Sequence, residues 1–292
     1  MGQQVLNGVF VGSIYALFAV GYTLVFGVLD ILNLAHQAVF MLSAFIALVL
    51  VENLHLPLLL ALPAAVIAGG LIGLVLERVA FRPLRGRSDS NISGLISSLA
   101  VATILEAIAL QFFGPDISRF PGGTFPDRMI QIGGASASLL QLCIIGISVL
   151  LMALLSFLMA RTRLGRRLRA VAESPRAARI LGIDVDRTIA VAFFLSSALG
   201  GAAGVLFGLA FNSIQPDVGR SVELKGLAVI ILGGMGSVPG AVLAGFALGL
   251  IEVFTVAHIG SSFRDVVSFA VLFLVLLARP RGLFGRAAAR EA

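Results

Sequence analysis

Five stretches of this chain, residues 6–28, 58–79, 91–113, 139–160 and 188–210, stay apolar for about 20 residues at a time, the length an α-helix needs to cross a bilayer. Shorter apolar runs cover 37–51 and 263–278, and a long glycine-rich run covers 224–257. Hydrophobic residues make up 59% of the chain and charged residues 12%, against roughly 45–50% and about 25% in soluble domains. One soluble core of this size cannot hide the excess. The chain is therefore expected to be an all-α, polytopic transmembrane helical bundle of about 8–9 segments, some of them discontinuous, in one domain over residues 1–292.

The amino-terminal "MGQQVLNGVFVGS" has no basic region and no clear cleavage site, so it does not read as a signal peptide. Cys143, the lone cysteine, excludes an intramolecular disulfide and reads as a packing thiol. The net charge of +6 could serve nucleic acid or a membrane surface, and the placing of the arginines decides between them. Arg78, Arg82, Arg85 and Arg87 follow the third apolar run. Arg161, Arg163, Arg166, Arg167, Arg169, Arg176, Arg179 and Arg187 follow the fifth, and Arg279, Arg281, Arg286 and Arg290 form the tail. Positive loops stay in the cytoplasm, so topology accounts for the charge and no nucleic-acid partner is needed. The N-terminus then lies outside and the C-terminus in the cytoplasm. The loops 114–138 and 211–223, with Asp116, Asp127, Asp217 and Glu223, fall outside as well.

The final span must start outside to end inside, so 224–257 has to enter and return. Its first limb, "LKGLAVIILGG", is about 11 residues or roughly 17 Å, half the hydrocarbon thickness. The chain is expected to break near mid-depth at "GGMGSVPG", where Gly233, Gly234, Gly236, Ser237, Pro239 and Gly240 suit an unusual turn. Irregular backbone at that depth is tolerated only where protein or a water-filled cavity satisfies it. The first half repeats the plan: an apolar run enters, breaks at "DILNLAHQ" and returns. The inward helices that follow end alike, in "ERVAFRPLRG" and "LLARPRGLFG". Such repeats with discontinuous helices recur in transporters. Asn33, His36 and Gln37, with Asp30 beside them, are then candidates to satisfy freed backbone and face a pathway. A capped turn between two ordinary helices is the competing reading. No metal site or cofactor is expected, because His36, His55 and His258 lie in different segments without a second ligand at i+3 or i+4.

The segment 161–187, "RTRLGRRLRAVAESPRAARILGIDVDR", contains a helix with its own punctuation. Ser174 suits the N-cap, Pro175 the first helical position and Gly182 the position past the end. Ala177, Ala178 and Leu181 lie within i, i+3 and i+4 reach, and Arg176 and Arg179 mark a basic edge. A two-turn helix of this kind is poorly suited to standing alone in water, and reads as a plug for a groove on a cytoplasmic partner.

That segment resembles the ATPase-coupling loop of ABC importer permeases, with Glu173, Ala177, Ala178 and Gly182 matching its Glu-Ala-Ala…Gly arrangement. "GSIYALFAVGYTLVFGVLDILNLAH" (12–36), "ERVAFRPLRG" (77–86), "LKGLAVIILGGMGSVPGAVLAGFALGLIE" (224–252) and "DVVSFAVLFLVLLARPRGLFG" (265–285) resemble the H-type permease of high-affinity branched-chain amino acid ABC importers. Asp30 and Gln37 depart from glycines common in that family. The resemblance implies a multi-pass subunit of a bacterial inner membrane, paired with a related M-type permease. It further implies two cytoplasmic ATPases below and a periplasmic substrate-binding protein above. The chain itself has no G-x-x-x-x-G-K-[ST] phosphate loop, so it is expected to be a transport subunit and not an enzyme.

Glu106 and Glu252 are carboxylates in apolar runs, and intramembrane ionisable groups are functional candidates by default. Glu106 is about 10 Å from the end of its run at Phe113 and joins the pathway candidates; Glu252 lies near the outer end of its limb. Ser97, Ser98 and Thr103 are expected to satisfy backbone or bridge helices. A pathway with few charges suits a neutral or zwitterionic solute. Branched-chain or other hydrophobic amino acids are the cargo the resemblance implies. The alternatives are urea, short amides or small aromatic acids on the same architecture, or an ion-coupled secondary transporter.

Overall fold

The computed structural model describes residues 1–85, 90–126, 128–132, 134–279 and 282–284. Arg87, Asp127, Arg281, Arg286 and Arg290 lie outside the described residues. The helices are α1 (Gly2–Leu29), α2 (His36–Glu52), α3 (Leu58–Leu76), α4 (Ser90–Phe113), α5 (Leu139–Arg161), α6 (Arg163–Glu173), α7 (Pro175–Ile180), α8 (Val185–Phe211), α9 (Val218–Gly233), α10 (Val238–His258) and α11 (Arg264–Ala278). A hairpin of β1 (Met129–Ile132) and β2 (Ala135–Ser138) joins α4 to α5. Seven helices among the described residues are long and apolar enough to cross a membrane. With the shorter α2 and α9 there are nine segments, within the range the sequence gives.

The most buried helix is α1, and α10 runs antiparallel along it. Gly249 lies against the backbone of Gly12, Gly245 against Ala16, and Gly236 against Gly27. Lipid supplies no hydrophobic drive between helices, so small residues that let two backbones approach and gain dispersion contacts hold the pair. Behind them α8 packs on α1, α2 and α3, with the Ser196 hydroxyl donating to the Gly21 carbonyl at 2.6 Å.

The arginine-bearing connections share one end. Arg82 and Arg85, just past α3, pair with Asp186 in the first turn of α8 at 3.4 and 3.1 Å. Past α11, the amides of Leu283 and Phe284 donate to Leu232 and Gly233 at the end of α9. The opposite end gathers the N-terminus and the long loops: Gln3 bonds both ways with the Ser136 backbone, and Ser118 pairs with Ile214.

The first break falls within "DILNLAHQ" as expected, but only after an unbroken incoming helix: α1 runs 28 residues, about 42 Å, and ends at Asp30, whose φ of 55° is left-handed. The interruption lies wholly on the return. Residues 30–35 travel back along α1, so that His36 opens α2 beside Phe18 and Tyr22, about 10–16 Å short of the end of α1. The second turn, residues 234–237, is not at mid-depth, because Gly236 meets Gly27 two residues from the end of α1. The limb before it is longer than expected, 16 residues starting at Val218. Arg220 and Glu223 look like loop residues in sequence, yet Arg220 finds its partner on α4 and enters the bundle with α9, as does Lys225 of the expected limb with its partner on α10.

Candidate functional site

At the arginine-rich end, α5, α6 and α7 are separated by single capping residues, and four residues, Leu181 to Asp184, join α7 to α8. Thr162 accepts from the Gly165 amide to start α6. Ser174 accepts from the Ala177 amide at 3.2 Å to start α7, and Pro175 occupies its first position. Past the end of α7, Gly182 takes φ 77°; its amide donates to Arg179 and the Ile183 amide to Ala178, both at 3.0 Å. This pair of reverse bonds is the Schellman arrangement, which a side chain at the left-handed position would strain. The segment therefore has fixed geometry and is not a loose loop.

What anchors α7 differs from the expected stripe. Ala178 points inward and is buried, in one apolar cluster with Leu168 and Val171 of α6, Val25 and Val28 of α1, and Val185 and Ile189 of α8. Arg176, Ala177 and Arg179 face out, as do Ile180 and Leu181, which are 87% and 76% exposed. Ala177, Ala178 and Leu181 therefore do not share a face: the alanine pair is split between anchor and surface. Glu173, the last residue of α6, is exposed.

Of the polar residues of the first break, Asn33, His36 and Gln37 are interior and Asp30 is exposed. Asn33 accepts from the Ala35 amide at 3.2 Å, and the Leu34 amide donates to Ser98 of α4 at 3.1 Å. Two freed backbone donors are thus satisfied at depth by protein, as a membrane interior demands. Ser97 likewise donates to Ala80 in the wide helical turn Glu77–Phe81, while Thr103 bonds within α4. His36 and Gln37 do something else. The His36 ring is fully buried between Phe18 and Tyr22, against Gly21 and Gly200. Among the described residues neither ring nitrogen has a hydrogen-bond partner, and neither does the Gln37 side-chain carbonyl. At the second break Gly234 and Gly236 take positive φ, Gly233 packs on Gly240, Ser237 caps α10 by accepting from Gly240, and Pro239 is exposed in its first turn. Among the described residues no group of His, Cys, Asp or Glu could hold a metal ion.

A family model described as "Branched-chain amino acid transport system / permease component" matches residues 4–276. The chain belongs to this family. It is similar to the high-affinity branched-chain amino acid transport system permease protein BraD of Pseudomonas aeruginosa, at 37% identity over 97% of this chain and 95% of that one. LivH of Escherichia coli K12, described in the same words, is 35% identical over the same shares. The ribose import permease protein RbsC of Haemophilus influenzae is 26% identical over 94% of this chain and 83% of that one.

The permease also carries buried charge that sequence reasoning did not assemble. Lys225, its only lysine, pairs with Glu252 of α10 and, at 3.2 Å, with Asp265 of α11, and donates to the Tyr15 hydroxyl of α1 at 3.2 Å. Arg264 joins the same Glu252. Glu252 is therefore sealed inside a four-helix ion network and does not reach an interface; its side chain is 1% exposed. Arg220 of α9 holds Glu106 of α4 through two guanidinium nitrogens. Glu77 pairs with Arg85, not with its sequence neighbour Arg78. The signals were lone charges in apolar context, and only the fold brings them together.

Proposed function

We propose that the permease forms half of the translocation pathway of an ATP-driven importer, and that its cargo is a branched-chain or other hydrophobic amino acid. The observation that carries this reading is α7. It is capped at both ends, anchored through Ala178, and presents Ile180 and Leu181 almost fully exposed just past Arg179. Large apolar side chains held rigidly in that way serve a partner's groove.

The chain lies in the bacterial inner membrane with the arginine-rich end cytoplasmic and the N-terminus outside, as the positive-inside rule directs. Two ATPases sit below α7. A second permease of the related M type completes the pathway, and a substrate-binding protein docks on the loops around the hairpin. Closure of the ATPase pair pushes α7, and the cluster around Ala178 passes the displacement to α1 and α8. Nucleotide drives transport only if the ATPases contact α7 differently in their two states.

The test is uptake of labelled leucine, isoleucine and valine by cells lacking the gene, with and without its restoration, before and after ATP depletion. ATP-dependent leucine uptake that disappears and returns with the gene is expected. Loss of urea, amide or aromatic-acid uptake with leucine untouched would reassign the cargo. Uptake that ignores ATP but follows an ion gradient would replace the importer by a secondary transporter. The ribose permease among the relatives makes the cargo question separate from the architecture.

A further inference from the structure

At the end opposite the arginines, a cleft of about 270 Å³ opens between α4 and the start of α9. Its charged wall is Glu106, Asp217 and Arg220, and its apolar wall includes Leu110, Ala107 and Pro216. The size is just under the roughly 300–1,000 Å³ of pockets for drug-sized ligands, which suits a smaller solute.

The depth and exposure of these charges are the first observation. Glu106 stands seven residues from the end of α4, about 10 Å into the bundle, and its side chain is nearly buried while Arg220 is 63% exposed. An arginine near a helix end that faced lipid would stretch toward the interface. Arg220 turns instead into the bundle, to Glu106. An exposed arginine held at that depth needs water or a polar partner in front of it, so this face of α9 borders water or polar protein and not lipid tails.

The second observation is the chemistry left over. Glu106 engages the Nε and Nη2 of Arg220; Nη1 has no bond to any described residue. Asp217, one turn earlier, lies in Coulombic range of the same guanidinium. The cleft thus presents a free guanidinium edge, a carboxylate beyond the internal ion pair, and an apolar wall. Those are the complements of a carboxylate, an ammonium group and an aliphatic side chain. We infer that this cleft receives the amino acid as a zwitterion, with Arg220 on its carboxylate, Asp217 and Glu106 on its ammonium group, and Leu110 with its neighbours on its side chain. The inference rests on the amino-acid importer reading and deepens it. A ligand carrying only one of the two charges leaves either Arg220 or Asp217 without its ionic contact and so forfeits half of the polar match.

The first arm of the test uses the purified importer complex carrying Cys143→Ser and Thr103→Cys, the new thiol lying in the cleft wall. Millimolar leucine is expected to slow modification of that thiol by a soluble maleimide several-fold, whereas 3-methylbutylamine and 4-methylpentanoate are not. The second arm is leucine uptake by the reconstituted complex. Glu106→Gln and Arg220→Gln are each expected to cut uptake at least tenfold. The charge-exchanged pair Glu106→Arg with Arg220→Glu keeps an ion pair but reverses it relative to Asp217, and is expected to stay as impaired. Restoration of uptake by the exchanged pair would make Glu106–Arg220 a structural pin and overturn the inference, as would protection by none of the three compounds or by all alike. The unsubstituted complex separates the two readings: no leucine uptake there defeats the importer reading, while uptake without protection defeats the cleft alone.

Discussion

Glu252 shows at the scale of one residue what a membrane interior requires of a charge. Its carboxylate answers Lys225 and Arg264, and Asp265 balances the remaining positive charge. Removing one member of a buried ionic group costs about 3–5 kcal/mol, because the others stay desolvated without it. Glu252→Leu should fall at the lower end, since Asp265 still neutralises Lys225. A clearly lowered unfolding temperature of the purified permease is expected, and an unchanged one would mean the network contributes little. Sequence reading located Glu106 and Glu252 as unusual but not their partners, because Arg220 and Arg264 lie 114 and 12 residues away. The same distance to its partner is why Arg220 reads as part of the loop 211–223. Asn33 was legible as a buried satisfier of freed backbone; that Ser98 of α4 would take the neighbouring amide was not.

Elements were legible in proportion to how local their signals are. The cap, first-turn proline and terminal glycine of α7 fall within nine residues, Ser174 to Gly182, and all three take the expected roles. Which face of α7 packs depends on Leu168, Val25 and Val185, and the alanine stripe was misassigned for that reason. The helix α6 was passed over, although Leu164, Leu168 and Val171 repeat at helical spacing behind Thr162. The β1–β2 hairpin was passed over too. The glycine turn of 234–237 was foreseen, but its depth is set by the start of α9 and by the contact with Gly27. The α1–α10 seam makes a prediction at this scale. Gly249→Leu would place a side chain where the Gly12 backbone now lies, and overpacking of this kind costs about 1–3 kcal/mol or more. Reduced recovery of folded permease is expected, whereas Leu243→Ala, on an exposed position of the same helix, should be tolerated. Equal recovery of both variants would show that the seam is not close-packed.

For the whole molecule, composition and arginine placement were enough to give an all-α membrane bundle with its basic connections at one end, and the structure has both. What the sequence could not order is how that end is wired to the middle. Ala178 shares a cluster with α1 and α8, the two helices most deeply inside, so a push on α7 reaches the centre through rigid packing. The most direct measurement is ATP hydrolysis by the reconstituted importer with and without leucine-loaded binding protein, using permeases carrying Ile180→Glu or Gly182→Pro. Glutamate puts charge into the apolar contact, and proline cannot adopt the φ of 77° at position 182 or donate its bond to Arg179. At least tenfold weaker stimulation than in the native complex is expected for both, with membrane insertion intact. Native stimulation in both variants would contradict α7 as the element through which ATP drives this permease.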